Sequence, residues 1–412
     1  MSEPTPPPSS HGGAVVAGGR PSLPLIFSIT VTGILANTLV VPAIPDILDA
    51  FEQPDSRAGL FVAAGALPGI LMAPIIGVIA DRFGRRAVLV PCLVGFSVFG
   101  LLSALSPSFQ VLLVLRLLQG VGSAGLINLA VVIIGDHWTG LERARLVGQN
   151  AAVLTMSLAV FPLVGGLLTD VGGWRLSFAP YAAGLITATM IWHRLDPARP
   201  AGGQTLRTQL GGVRVAARQR DVIGSIAIGS IIFMLIFGLF LTAMPVHLER
   251  EFGLGAGQRG LIVAAPALTS TIAALWLGRI RARRGAVHLV VGAAALFTVA
   301  FVIVGVAGSL PVLVAGTMLF GFGEGLFIPT LQDIVTGAAP AAQRGAIVAL
   351  WVGAARLGQT VGPLVVSAIY GAVGTGATFV LGGACAAALV VAELLGRFGD
   401  ERHVTRDEIS VR

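Results

Sequence analysis

The chain of 412 residues contains no lysine, so all 27 of its Lys+Arg residues are arginine. That absence excludes the P-loop G-x-x-x-x-G-K-[ST] and any Schiff-base chemistry, both of which need a lysine amine. Charge of either sign is scarce, at 11% of residues, against about 25% in soluble domains. The two cysteines, Cys92 and Cys385, lie far apart inside apolar runs and predict neither a disulfide framework nor a thiolate metal site. Six scattered histidines show no ligand spacing, and the residues predict no metal and no cofactor. A basic start and a small-residue cleavage site are also missing, so the Pro-, Ser- and Gly-rich residues 1–21 are expected to be a disordered tail rather than a secretory signal.

What fills the chain instead is apolar sequence, 55% of all residues. Twelve helices of roughly 20 residues would use about 240 of them and leave short loops, a tail and one longer connector. So many apolar segments exceed what one water-soluble core can bury, which excludes an ordinary soluble enzyme. Charge-free windows place the spans at 21–45, 58–80, two within 87–135 divided at Ser106-Pro107-Ser108, 146–169 and 176–192. A polar connector follows, then 222–248, 260–278, two within 285–332 divided at Gly308-Ser309-Leu310-Pro311, 345–370 and 373–396. The expected fold is an all-α membrane protein of 12 transmembrane helices. Its organisation is a tail at 1–21, six-helix bundles at 22–193 and 222–396, a connector at 194–221 and a second tail at 397–412.

Arginine placement predicts orientation. With the N-terminus inside, 21 arginines fall on cytoplasmic segments; Arg57, Arg175, Arg250 and Arg259 fall outside, and Arg116 and Arg356 lie within spans. Both termini are expected to face the cytoplasm, in the cell (inner) membrane. The same topology accounts for the net charge of +7, so nucleic acid is not an expected partner. Within the connector, Leu206, Leu210, Val213 and Ala217 recur at helical spacing among arginines. That pattern fits a basic amphipathic helix on the inner leaflet and equally a flexible tether.

A constant shift of 201 residues superposes landmarks of the two halves: Gly77, Arg82 and Gly84 on Gly278, Arg283 and Gly285, Gly120 on Gly321, Arg143 on Arg344, Pro162 on Pro363, and Phe178 on Phe379. The halves are therefore expected to be parallel repeats, an arrangement that holds substrate between them near the bilayer midplane. Between the second and third spans stands Gly77-Val-Ile-Ala-Asp81-Arg82-Phe-Gly84-Arg85-Arg86. Gly77 allows close helix approach and Gly84 a tight turn, while Asp81 needs a cation at that depth. Asp136 and the loop of Arg143 and Arg145 are candidate members of one gating network with it. The ten residues resemble the signature loop of the major facilitator superfamily, and Leu112-x-x-x-Arg116-x-x-Gln119-Gly120-x-Gly122 resembles that family's fourth-helix motif.

An arginine inside a span costs about 2.5–3.5 kcal/mol and should face the protein interior. The resemblance associates Arg116 with proton movement; backbone carbonyls locking helices around it would serve equally. In the fifth span, Gly148, Pro162, Gly165 and Gly166 resemble the hinge motif of drug:proton antiporters, although Ser157 and Phe161 replace two of its glycines. The repeat counterpart Gly358-x3-Gly362-Pro363 keeps them. Trp174-Arg175-x-x-Phe178, expected to open the sixth helix, also resembles that group.

Glu324, midway through the tenth span, is the one carboxylate well inside the predicted hydrocarbon region. It is a candidate to bind and release the coupling proton or to hold a cationic substrate; alternatively it forms a static pair with Arg356. Few polar anchors accompany it (Asn37, Gln119, Asn128, Gln332), a lining suited to a lipophilic solute more than to a sugar or phosphate ester. The resemblance implies a secondary transporter rather than an enzyme, a monomer with small-molecule substrate, protons and membrane lipids as partners. Proton-coupled export of lipophilic drugs or metabolites is the leading expectation. Proton-coupled uptake of a small polar metabolite and a non-transporting receptor are the alternatives.

Overall fold

The computed structural model describes residues 19–197, 220–337 and 344–394. The tails and most of the connector, with its two readings, lie outside the described residues. Twelve helical segments follow one another: α1 Leu23–Ala50, α2 Asp55–Phe83, α3 Arg85–Ser103, α4 Phe109–His137, α5 Gly140–Leu176 and α6 Ala183–Arg194. Then come α7 Ile226–Phe252, α8 Ala256–Arg283, α9 Ala286–Val306, α10 Leu310–Gly337, α11 Arg344–Val373 and α12 Thr375–Leu394. Among the described residues 11 are long and apolar enough to cross a membrane. The exception is α6, whose 12 α-helical residues continue a 3-10 turn at Ala179–Ala182.

Several segments are broken where their sequences remove a hydrogen-bond donor. Pro42 sits in a 3-10 turn at Val41–Ala43 of α1, α2 restarts at Pro68 and α8 at Pro266. Proline has no N–H to give, so each break is local and expected. In α7 a π-helical stretch covers Ile236–Ala243, and the Thr242 hydroxyl donates to the Phe237 carbonyl at 2.7 Å. At the end of α5, Gly172 and Gly173 leave helical geometry, with Gly173 at φ 71. Trp174 and Phe178 therefore form a corner before α6 rather than opening it, and Trp174 packs between Phe51 and Phe178.

The two halves repeat one pattern of neighbours. In the first half α3 packs on α4 and α6, α1 on α5, and α2 on α4; in the second, α9 packs on α10 and α12, α7 on α11, and α8 on α10. Core residues follow the same shift of 201: Phe96 and Phe297 are buried, as are Phe178 and Phe379. The turn is repeated too, with Gly84 at φ 96 and Gly285 at φ 76, a conformation that an L side chain rarely adopts. Hydroxyls within the spans bond back one turn, as Thr32 does to the Ser28 carbonyl and Thr360 to that of Arg356, which satisfies those donors inside the helix. Apolar side chains such as Leu71 and Leu275 stand exposed, the surface that acyl chains would cover.

Between the halves, α2 meets α11 and α5 meets α8. Both seams depend on glycine. A Cβ at Gly260 would overlap the Pro162 carbonyl, and one at Gly59 would overlap the Pro363 carbonyl. Residue 59 shifted by 201 is 260, and 162 shifted by 201 is 363, so the two contacts are copies of each other. Expected hinge residues thus sit at helix contacts: Gly165 against Leu39, Gly166 against Ala256, Gly362 against Met234.

Candidate functional site

Three groups of polar residues lie along the molecule: at the end that carries the α2–α3 loop, near mid-span, and at the opposite end.

At the loop end, Gly84 terminates α2 and starts α3. The turn brings Arg85 back over the last turn of α2, where its guanidinium pairs with Asp81 and donates through Nε to Asp136 of α4 at 3.0 Å. One arginine thereby neutralises two carboxylates and ties α2, α3 and α4. Arg86 lies over the Trp192 ring of α6 at 4.4 Å and Arg82 over Phe83 at 5.5 Å, cation–π contacts that hold charge at an apolar rim. The Arg143 guanidinium packs on Gly135, whereas nothing stands within 4 Å of the space beside Gly77. Gly77 makes no close helix approach in this conformation. In the second half Arg281 pairs with Asp333. The ion pairs of Arg85 and of Arg281 thus each join residues of one half.

Near mid-span the first half encloses Arg116, which is 3% exposed. It donates to Gln119 Oε1 at 2.6 Å, to the Ala36 carbonyl at 3.0 Å and to the Tyr181 hydroxyl at 3.3 Å. It also stands over the Phe61 ring at 5.0 Å, and Gly65 leaves room for it. α1, α2, α4 and the 3-10 turn before α6 thus converge on one cation, and among the described residues no carboxylate pairs with it. Close by in the same half, buried Asn150 accepts from Thr30 at 2.7 Å. Asn37 is half-buried, while Asn128 and Gln332 are exposed.

Across the gap, Arg356 of α11 lies against Gly69 of α2 and donates to Gln359 at 3.4 Å. Glu324 is half-buried on α10, between Gly321 and Gly325, whose missing side chains let α10 touch the backbone of α8. No hydrogen bond or ion pair engages Glu324 among the described residues, and Glu324 and Arg356 are not paired in this conformation.

The opposite end carries the densest electrostatics. Arg259 of α8 is 1% exposed and pairs with Asp46 of α1 and, at 3.0 Å, with Glu249 of α7. Arg250 donates to Asp49 at 2.6 Å and to Asp55 at 3.0 Å. The Gly257 amide donates to Asp170 at 3.0 Å, and the Tyr370 hydroxyl donates to the Asp55 carbonyl. Apart from the Glu249 pairing, each contact runs from one half to the other. Asp49 and Arg250 are repeat counterparts, 201 residues apart; a residue can touch its own counterpart only beside the axis relating the halves. None of these residues was singled out by sequence. The signal present was two arginines, Arg250 and Arg259, on the arginine-poor side, facing a run of aspartates at 46, 49 and 55.

Two like bundles of membrane-spanning helices, tied to each other by ion pairs at one end and enclosing a few charges near mid-span, define a membrane carrier. The sequence profile of the Major Facilitator Superfamily matches residues 26–224 and 226–409, and the chain belongs to that family. It is a multi-pass secondary transporter of small molecules and not an enzyme. Similar proteins include the bacillibactin exporter of Bacillus subtilis, 24% identical over 363 residues that cover 84% of this chain and 88% of the relative. The class B tetracycline resistance protein of Escherichia coli is 27% identical over 364 residues, 85% of this chain and 88% of the relative. Among solved structures, a bacterial homologue of the human lysosomal transporter Spinster, inward-facing and unoccupied, aligns with TM-score 0.74 at 18% identity, over 92% of this chain and 98% of that one.

Proposed function

We propose that the chain exports lipophilic small molecules from the cell in exchange for protons, by alternating access between its two halves. Glu324 is the observation that carries this reading. A carboxylate on a membrane-spanning helix with no ion-pair or hydrogen-bond partner among the described residues is costly to keep charged, and an exchangeable proton answers that cost. Arg116 supports the reading by contrast. Its guanidinium is engaged by Gln119, Tyr181 and Ala36, which favours a locking role over a moving proton.

The direction rests on two supports. Arginine bias favours a cytoplasmic loop end, which would put the ion pairs that join the halves on the outer side. The names of two relatives, an exporter and a resistance protein, favour efflux. A proton entering supplies about 2.3 kcal/mol per 100 mV of membrane potential.

The test uses everted vesicles with an acidic lumen reported by a quenched dye. Addition of a lipophilic cation such as ethidium restores fluorescence with the wild type, and Glu324→Gln abolishes the response while leaving protein yield unchanged. A wild type that ignores lipophilic compounds but accumulates a polar metabolite in right-side-out cells overturns export. Full exchange by Glu324→Gln overturns the role of the carboxylate.

A further inference from the structure

The seams α2–α11 and α5–α8 are copies in their glycine contacts but differ in what they leave open. At α5–α8 the Asp170 carboxylate takes the Gly257 amide and closes the junction. At α2–α11 a groove of about 670 Å³ remains between the walls. One wall is Ser56, Arg57 and Leu60 of α2; the other is Leu364, Ala368 and Gly371 of α11, a stripe at helical spacing. Leu60 and Leu364 stand 40% and 38% exposed on membrane-spanning helices, so the flank of the groove faces acyl chains.

Its polar end holds Arg57. The four arginines of this end of the molecule differ in engagement. Arg259 and Arg250 sit in ion pairs, and Arg175 lies over the Trp174 ring at 4.4 Å. Arg57 is exposed, its backbone amide donates to the Pro54 carbonyl at 2.9 Å, and its guanidinium has no hydrogen bond, ion pair or ring contact among the described residues. Asp55, two residues away, is already held by Arg250. The guanidinium therefore stands where an apolar span ends, which is the depth of phosphate headgroups, with an apolar channel running from it into the hydrocarbon.

We infer that this groove binds an anionic phospholipid, its phosphate on Arg57 with help from the Ser56 hydroxyl, and one acyl chain along Leu60, Leu364 and Ala368. A fork of N–H donors suits a phosphate, and its full charge favours a headgroup that carries no compensating cation. Because the walls belong to different halves, the lipid spans the seam.

Native mass spectrometry of the full chain, titrated in detergent with dioleoyl phosphatidylglycerol or dioleoyl phosphatidylcholine, reads this directly. The wild type retains phosphatidylglycerol in preference, Arg57→Gln lowers that retention about fivefold, and Leu364→Trp, which fills the channel, lowers retention of both lipids. Arg175→Gln, on the same end but engaged by its tryptophan, leaves retention unchanged. Inorganic phosphate at millimolar concentration does not displace the lipid. Equal retention of the two lipids by the wild type overturns the inference, as does unaltered retention by Arg57→Gln or displacement by phosphate alone.

Discussion

At the end of the molecule that carries the signature loop, the ion pairs found among the described residues each join helices of one half: Arg85 with Asp81 and Asp136 in the first, Arg281 with Asp333 in the second. At the opposite end Arg250 and Arg259 reach from the second half to Asp49, Asp55 and Asp46 of the first. Both ends therefore have charge clusters, and what separates them is whether the charges tie helices of one bundle or tie the bundles together. Ties of the first sort keep a moving body rigid, and ties of the second sort have to break when that body moves.

The comparison can be broken most strongly at Arg259. Its guanidinium is buried between two carboxylates, and leaving those carboxylates without their cation is expensive. Water reaches Asp46 and Glu249 and softens that cost, so Arg259→Gln is expected to lower unfolding free energy by about 2–3 kcal/mol, measured by denaturant titration in detergent, and to separate the halves at this end. Spin labels on Ala50→Cys and Glu251→Cys, with Cys92 and Cys385 replaced by serine, would report a longer distance by pulsed EPR. An unchanged distance would mean that the glycine seams alone hold this end.

Next in size is the seam itself. Gly59→Val and Gly260→Val each place a side chain against a proline carbonyl, and overpacking of that kind costs about 1–3 kcal/mol. Each is expected to shift the same label pair towards the longer distance. Because the two contacts are repeat copies, the shifts should be alike. A marked difference would show that the seams are unequal in more than their flanking groove.

Arg85→Gln tests the loop end. Asp81 and Asp136 are each about one-fifth exposed, so water softens their loss, and destabilisation of about 1–2 kcal/mol is expected. The EPR distance at the opposite end should stay put, since Arg85 joins no residue of the second half. The smallest effect belongs to the exposed pair Asp49 and Arg250. Either single charge reversal is expected to slow transport modestly, and the swap Asp49→Arg with Arg250→Asp to restore part of it, in line with the 0.2–1 kcal/mol of an exposed ion pair.

Much of this was legible beforehand, for identifiable reasons. Twelve segments followed from charge-free runs, because lipid demands apolar length. The α2–α3 loop and the buried Arg116 followed from residue types that are costly at their depth. The partners of Arg116 were not legible: Tyr181 and Phe61 lie 65 and 55 positions away, and nothing local links them. The breaks in α1, α2 and α8 were marked by proline, but the π-helical turn of α7 carries no such mark. The cluster of Asp46, Asp49, Asp55, Arg250 and Arg259 stayed hidden because its pairs are 195–213 residues apart. Each member alone resembles an ordinary solvated loop charge.

The contact between Asp49 and Arg250 also bears on symmetry. Two identical half-chains would set like residues against each other at this position, aspartate on aspartate or arginine on arginine. Two halves of differing sequence can instead place an acid on one copy and a base on the other, as here. That single contact therefore marks a place where the present chain could not be cut into two interchangeable subunits.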